Sequence, residues 1–371
     1  MLMVRGVTML DSKPIGRSQR GSTGSLAALI VGLAGFGCSD VNFTVDKVPP
    51  VEIAPGSISG RVCDPSGRTW LPDAMAYVNL VDESGTVYDL RTAYSDQDGY
   101  WLLDQLPGET EYTVYVQYGP DLLTQETVYV ASQAVVELEE PDCFDPLSLD
   151  VAVVTGDYDD FHEVLNQMGF ANYVLIDGLD VDVLSGFLAD PEELGKYDII
   201  FLNGGFVEEG VIYGGDASAT NIDNLRNYVT AGGTIYASDW AYDVVEIGWP
   251  DAVDFVGADE VPDDAQKGDY ASVTAAIADQ SLADFLELTY LPILYDLPVW
   301  PPVENVTTGV SVHLTANVPY SEGMSEYSLA QVPLLVSFNS GKGKVVFSTF
   351  RVARNSTDEM LKTLQYMMYR L

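Results

Sequence analysis

Between Ser57 and about Glu139 the apolar residues fall at alternate positions in short runs: Ile58, Gly60 and Val62; Ala76, Val78 and Leu80; Tyr112, Val114, Val116 and Tyr118; Val128 and Val130. Turn-forming clusters separate them, among them Asp64-Pro65-Ser66-Gly67, Asp82-Glu83-Ser84-Gly85, Ser95-Asp96-Gln97-Asp98-Gly99 and Leu106-Pro107-Gly108. A period of two with turns at this spacing predicts antiparallel strands sharing one core, a small β-sandwich over residues 56–147.

Near Leu149 the rhythm changes. Asp150 to Thr155 is a continuous apolar strand, as strands buried on both faces are. Phe161 to Met168 then reads as a helix, Tyr173 to Ile176 as a strand, Val183 to Leu188 as a short helix, and Tyr197 to Leu202 as a second buried strand closed by Asn203-Gly204-Gly205. An amphipathic helix from Ile222 to Val229 ends at Ala231-Gly232-Gly233 and feeds the strand Thr234 to Ser238. Pro333 to Phe338, the turn Asn339 to Gly343 and Lys344 to Phe350 form a hairpin, and Asp358 to Leu371 a closing helix. Residues 148–371 therefore predict a doubly wound, flavodoxin-like α/β domain with functional loops at the strand C-termini. Trp249 to about Thr315 reads as an insertion, with Val273 to Leu286 partly helical.

One apolar run has another character. Ser25 to Gly37 follows Lys13, Arg17 and Arg20 and stops at Cys38. It is shorter than the roughly 20 apolar residues a spanning helix needs but suits the core of a secretory signal. Small residues leading into a cysteine resemble a bacterial lipoprotein signal, with Gly35-Phe36-Gly37 an imperfect lipobox. That resemblance implies cleavage after residue 37 and a membrane lipid on Cys38, with ordinary secretion and an uncleaved anchor as alternatives. Ser39 separates Cys38 from Asp40, which favours the outer over the inner membrane. Residues 38–55, polar and carrying Pro49, Pro50 and Pro55, read as a tether.

Charge narrows the partners. The chain holds 17 Lys and Arg against 56 Asp and Glu, a net charge of -39, and cleavage of the leader would remove Arg5, Lys13, Arg17 and Arg20 against only Asp11. Nucleic acid is an unsuitable partner, since phosphate binding draws on lysine and arginine. With Cys38 lipidated, Cys63 and Cys143 remain as a pair in an oxidising compartment, where a bridge closing about 80 residues is expected and is worth roughly 4 kcal/mol in the loop-entropy picture. Two thiols and the separated His162 and His313 make no zinc spacing, and no metal or cofactor is implied. Gly341-Lys342-Gly343-Lys344 lacks the spacing and following helix of a phosphate loop.

Two family resemblances emerge. Gly60-Arg61-Val62, Pro72-Asp73-Ala74 leading to Val78-Asn79-Leu80, Ser95 to Trp101, and Leu106-Pro107-Gly108 before Tyr112-Thr113-Val114 resemble the carboxypeptidase regulatory-like (prealbumin-like) domain, which implies a seven-stranded sandwich without catalytic residues. Asp96-Gln97-Asp98-Gly99 lacks the later glutamate of a calcium loop and reads as a β-turn. Tyr197 to Gly205, Leu225 to Ser238 and Pro333 to Phe350 resemble class I glutamine amidotransferase-like domains, especially those related to trehalose-utilisation proteins.

That second resemblance puts the nucleophile in question. Its cysteine would sit in a tight strand-to-helix turn, and the matching turn, Ala237 to Ala241, carries Asp239. Its histidine would follow a later strand, where Arg351 follows Thr349-Phe350. Asn203-Gly204-Gly205 resembles the oxyanion loop, but glutamine hydrolysis is not expected. The same edge gathers Asp157, Tyr158, Asp159 and His162 after the first strand, Glu208 and Glu209 after the third, and Asp239, Trp240 and Asp243 after the fourth. A ligand pocket is expected from Asp157, Tyr158, Asn203, Gly204, Gly205, Asp239 and Trp240; an enzyme would draw on Asp239, Asp157 and His162. A chain in which about one residue in seven is acidic shows aspartate in most loops without any function. The sequence therefore predicts a noncatalytic envelope lipoprotein for recognition or scaffolding, with an envelope protein or saccharide as partner. The alternative is an envelope hydrolase or carbohydrate-binding protein using these carboxylates. In a scaffold Asp239 would be solvated or cap the next helix; in an enzyme it would meet a second titratable group in a concave pocket.

Overall fold

In the first segment, alternation becomes two four-stranded sheets. The strands are β1 (Gly56–Cys63), β2 (Met75–Val81), β3 (Val87–Tyr94), β4 (Tyr100–Leu106), β5 (Thr110–Tyr118), β6 (Leu122–Val130), β7 (Val135–Glu137) and β8 (Asp142–Cys143). One sheet runs β4-β1-β7 with β8 beside β1; the other runs β3-β2-β5-β6. Ile58, Trp101 and Leu103 of the first and Ala76, Val78, Val114 and Val116 of the second share one core. Gly60 has no room for a side chain, because a Cβ there would lie 2.5 Å from the Trp101 ring. Cys63 and Cys143 are register partners on β1 and β8 and are joined by a disulfide. Asp96 closes its turn by accepting from the Asp98 and Tyr100 N–H groups, both at 3.0 Å.

This is a computed structural model that describes residues 53–64, 70–82, 84–119, 122–138, 142–145, 149–170, 172–258 and 261–369. The expected leader 1–37, Cys38 and the tether up to residue 52 lie outside the described residues, as do Leu371 and part of the turn after Asp64. Among the described residues no helix is long and apolar enough to cross a membrane.

The second segment begins with β9 (Val151–Val154), α1 (Phe161–Gln167), β10 (Tyr173–Ile176), α2 (Val181–Leu188), α3 (Pro191–Leu194), β11 (Ile199–Leu202), α4 (Ser218–Ala231), β12 (Thr234–Ser238) and α5 (Tyr242–Gly248). It continues through β13 (Val253–Phe255), β14 (Lys267–Gly268), β15 (Ala271–Ile277), α6 (Gln280–Leu286), β16 (Tyr290–Tyr295) and β17 (Val303–Val306). β18 (Val310–Glu322), β19 (Ser325–Ser340), β20 (Gly343–Ser348) and α7 (Asp358–Tyr369) complete it. A ten-stranded sheet runs β10-β9-β11-β12-β20-β19-β18-β15-β16, with β14 on β18. Its pairs are parallel from β10 to β20 and antiparallel beyond. Both faces of the parallel part are covered. Val151, Val153, Phe201 and Val346 pack with α1 and α7, while Ala152, Val154, Ile200 and Val345 pack with α2, α4 and α5. This two-sided burial is why these strands are apolar without alternation.

Three stretches gain detail. Within 249–315, β14, β15 and β16 extend the main sheet, while β13 and β17 pair with each other. Val273 to Leu286 is partly helical: its first half, to Ile277, is strand, and the helix starts after Asp279, whose carboxylate accepts from the Ser281 and Leu282 N–H groups. β19 is far longer than Pro333 to Phe338, since its first half is solvent-exposed and polar and hydrophobicity gives no sign of it.

His313, on β18, is fully satisfied. Its ring nitrogens lie 2.8 Å from Asp279 and 2.8 Å from Ser337 Oγ, and the Tyr366 hydroxyl donates to the same carboxylate at 3.3 Å. The trio has the connectivity of a serine-protease relay, but His313 and Ser337 are both buried in the interior. It ties β18, β19, α6 and α7 together, and burial holds the imidazole below its usual pKa, with Asp279 pulling the other way.

The two segments meet on α7. Gln365 Nε2 donates to Asp64 at 2.6 Å, and Tyr369 packs edge-on to Tyr118 with centroids 5.9 Å apart. Gly119 has φ +65°, and a Cβ there would sit 1.4 Å from the Tyr369 carbonyl oxygen. Gly119→Ala is therefore expected to lose well over the roughly 1–2 kcal/mol that left-handed backbone alone costs an L-residue. Gly85, φ +82° with open space around it, is the control. Urea midpoints should fall further for G119A than for G85A, and equal shifts would show the close approach to be unimportant.

Candidate functional site

The loops after β9, β11 and β12 are laced together by their backbones. Asp157 N–H donates to Gly205 O at 3.2 Å, Tyr158 N–H to Gly204 O at 3.1 Å, and Asn203 N–H to Val154 O at 3.2 Å. Both glycines are sterically required: a Cβ on Gly204 would lie 2.8 Å from Asp239 Cβ, and one on Gly205, where φ is +85°, 2.8 Å from the Tyr158 ring. Tyr158, Gly204, Gly205, Asp239 and Trp240 thus come together, with Asn203 entering the same loop and Asp157 exposed at the rim. Asn203 is 1 % exposed, and neither polar atom of its amide finds a partner.

Asp239 occupies the strand-to-helix turn with φ +53°. Its N–H donates to Ser348 O at 2.8 Å, the residue is 2 % exposed, and Oδ1 has no hydrogen-bond partner. Oδ2 faces Arg351 Nε at 3.9 Å. Arg351 also donates to the Tyr158 carbonyl at 3.0 Å and pairs with Asp296, which Arg354 approaches at 3.8 Å. Burial pushes the Asp239 carboxyl well above the usual carboxylate range, with Arg351 pulling the other way. Asp239 is thus neither solvated nor the cap of α5, whose N-cap is Ala241 without a side-chain bond. The charge that answers Asp239 is thus Arg351, from the turn after β20.

A second carboxylate group lies beside the first. Trp240 Nε1 donates to Asp263 at 3.0 Å, and Asp263 N–H donates to Asp243 Oδ1 at 3.1 Å. Asp243 and Glu208 are both buried, and Glu208 Oε1 and Asp243 Oδ2 have no conventional donor. The two side chains face each other, a contact that becomes a hydrogen bond when one of them carries a proton. Burial, then the Asp243 charge, pushes Glu208 well above the usual range, and burial takes Asp243 to about 6. Tyr158 lies close enough to Asp239, Asp157, Asp263 and Glu208 for all four, after burial, to raise its pKa. Among the described residues no group of three or more His, Cys, Asp or Glu is arranged to hold a metal ion.

Other candidates go elsewhere. The His162 ring, on α1, lies 6.5 Å from that of Tyr173, and its Nδ1 is unpartnered, so it makes no hydrogen bond to Asp239 or Asp157. Asp159 accepts from Val352, Ala353 and Asp160 N–H groups at 2.7, 3.0 and 3.0 Å, a structural clamp on the turn after Arg351. Sequence reasoning noted Glu208 and Asp243 separately but missed their pairing, and missed Asp263 and Asp296, because each lies on a different element.

No protein-family profile matches the chain, and no curated protein matches it. Among solved structures it is similar to a cytoplasmic protein of Salmonella typhimurium at 15% identity, covering 59% of this chain and 98% of that one with a TM-score of 0.36. A second Salmonella typhimurium cytoplasmic protein gives 12%, 59%, 94% and 0.37. The β-galactosidase of a Rahnella species gives 15%, 59%, 31% and 0.34. Similarity at this level assigns the chain neither a family nor an activity.

The raised proton affinity has a thermodynamic signature. Because Glu208 has a folded pKa above its unfolded value, the native state binds the extra proton between the two, and stability falls as pH rises through that window. Glu208→Gln keeps a donor toward Asp243 and removes the ionisation. It is expected to gain on the order of 1–2 kcal/mol at pH 8, since a tenfold difference in proton affinity between the folded and unfolded chain is worth about 1.4 kcal/mol, and nothing at pH 4. Thermal melts at the two pH values check this, and an equal effect at both would refute the raised proton affinity.

Proposed function

We propose that the chain is a lipid-anchored, noncatalytic protein of the cell envelope that serves recognition or scaffolding. Its two parts are a prealbumin-like sandwich and a flavodoxin-like domain of amidotransferase type. The two four-stranded sheets support the first assignment, and the parallel order β10-β9-β11-β12-β20 with helices on both faces supports the second. The reading rests on one observation: the turn that would present a thiolate holds a buried carboxyl turned to Arg351. A carboxylate cannot replace that thiolate toward an amide, and an arginine, ionised at all working pH values, cannot act as its base. The test is ammonia release from glutamine by the purified protein. None is expected, and turnover abolished by Asp239→Asn would overturn the noncatalytic reading. Mass spectrometry of protein isolated from membranes is expected to show diacylglyceryl-Cys38 at the N-terminus; an N-terminus elsewhere would remove the anchor.

One observation favours a second reading, an envelope hydrolase acting on saccharides. Glu208 and Asp243 are carboxyls whose proton affinity is raised by burial, the tuning expected of a general acid or base, although glycoside hydrolysis would need a second carboxyl set across the bond rather than in contact. Hydrolysis of chromogenic glycosides lost in both E208Q and D243N would establish it in place of the first.

A further inference from the structure

The outer face of the sheet β3-β2-β5-β6 has a chemistry unlike the chain as a whole. Ala76 and Val78 of β2, with Val114 and Val116 of β5, point into the sandwich core. Every second residue therefore faces out: 75–81 of β2 contributes Met, Tyr, Asn and Val, 90–94 of β3 Leu, Thr and Tyr, 111–117 of β5 Glu, Thr, Tyr and Gln, and 123–129 of β6 Leu, Gln, Thr and Tyr. In a chain that is 20% charged, Glu111 is the one charge among these positions, and it stands near the start of β5 beside Tyr129 of the edge strand. The charges of β3 lie on its other side: Asp89 and Arg91 are register partners of Leu80 and Val78 and pair with each other at 3.2 Å. The face is open, with Leu90, Tyr94, Leu123 and Tyr129 49–63 % exposed.

Composition and ring geometry point to a protein partner. Loss of charge with gain of tyrosine and methionine is the signature of interface cores. At the centre of the face the Tyr77 and Tyr115 rings stack on each other, with centroids 5.0 Å apart and planes at 16°. One face of each ring is thereby closed to a stacked sugar. Tyrosine, threonine, asparagine and glutamine each both donate and accept hydrogen bonds, so such a face is complementary to its own image. A face of carboxylates is not, because like charges set against each other cost several kcal/mol. For a chain of net charge -39, a face almost free of charge is where two copies approach without that cost.

We propose that the outer face of β3-β2-β5-β6 is a self-association surface, on which two copies of this chain pack sheet against sheet about a two-fold axis. The size of the face sets the strength. Four strands about 4.8 Å apart, with about 3.3 Å per residue along the seven residues of β2, span about 19 Å by 23 Å. That is roughly 450 Å² of footprint on each copy and roughly 900 Å² for the pair, at the low end of specific interfaces. The dimer is accordingly weak, with a dissociation constant on the order of 10–100 μM. It depends on the sandwich alone, and neither the anchor at Cys38 nor the Asp239 turn enters it.

The test is sedimentation velocity of the full chain in density-matched detergent. Monomer is expected at about 1 μM and mostly dimer at about 300 μM. Raising the salt from about 50 mM to about 500 mM should tighten the dimer several-fold, since salt screens the repulsion between two acidic chains and no ion pair joins them. Leu90→Glu and Thr92→Glu set like charges across the interface, and each should weaken the dimer at least about tenfold. Both positions are exposed, so either variant reports if the other fails to fold. Leu175→Glu, exposed on β10, should leave the dimer unchanged. A monomer at every concentration, a dimer weakened by salt, one untouched by L90E and T92E, or one weakened as much by L175E would each overturn the proposal. Retention of a monomeric chain on insoluble chitin, lost in L90E, would assign the face to a glycan instead.

Discussion

The architecture depends on a helix that has to be buried on two sides. Met360, Leu364 and Met367 of α7 pack into the core beneath the parallel sheet, while Gln365 and Tyr369 meet Asp64 and Tyr118 of the sandwich. Apolar residues of both segments belong to one continuous core, so the sandwich is not an appendage on a linker. Gln365 adds a constraint that apolar contact does not: an amide donating to a buried Asp64 carboxylate fixes the register of the helix against β1, because a one-residue slip would strand a charge. The described residues accordingly belong to one compact unit.

Acidity is the second constraint. Most of the chain's carboxylates can stay at the surface, but at the sheet's C-terminal edge several are enclosed. Three devices hold them there. Asp159 takes three backbone N–H groups, Asp239 takes the edge of a guanidinium, and Glu208 with Asp243 gains proton affinity. Each lowers the cost of removing charge from water by a different route. Asp239 combines burial, a left-handed backbone and an unpartnered oxygen, a strained arrangement that persists only because β12, β20 and the Gly204 loop close around it.

The two edges of the parallel sheet are chemically opposite. One presents paired, buried carboxyls against aromatic side chains; the other presents two lysines at the end of α4. The segregation follows from the topology, since every loop after a parallel strand opens on one edge and every loop before it on the other. Short-range turn chemistry then decides what each edge carries.

Much of the fold was legible in the chain. Period-two runs marked the faces of β1, β2 and β5, continuous apolar runs marked β9 and β11 as covered on both sides, and Gly232-Gly233 marked the end of α4; each is a local consequence of burial and backbone freedom. The strand half of 273–286, the polar half of β19 and the joining of 249–315 to the main sheet were not legible, because pairing with a distant partner rather than local hydrophobicity decides them. At the site the sequence by itself determined the turn, the carboxylate at its apex and the arginine after the later strand. Only the tertiary structure decided that Asp239 faces Arg351, that Glu208 meets Asp243 and that His162 points elsewhere, because charges that meet across different elements leave no periodicity along a chain.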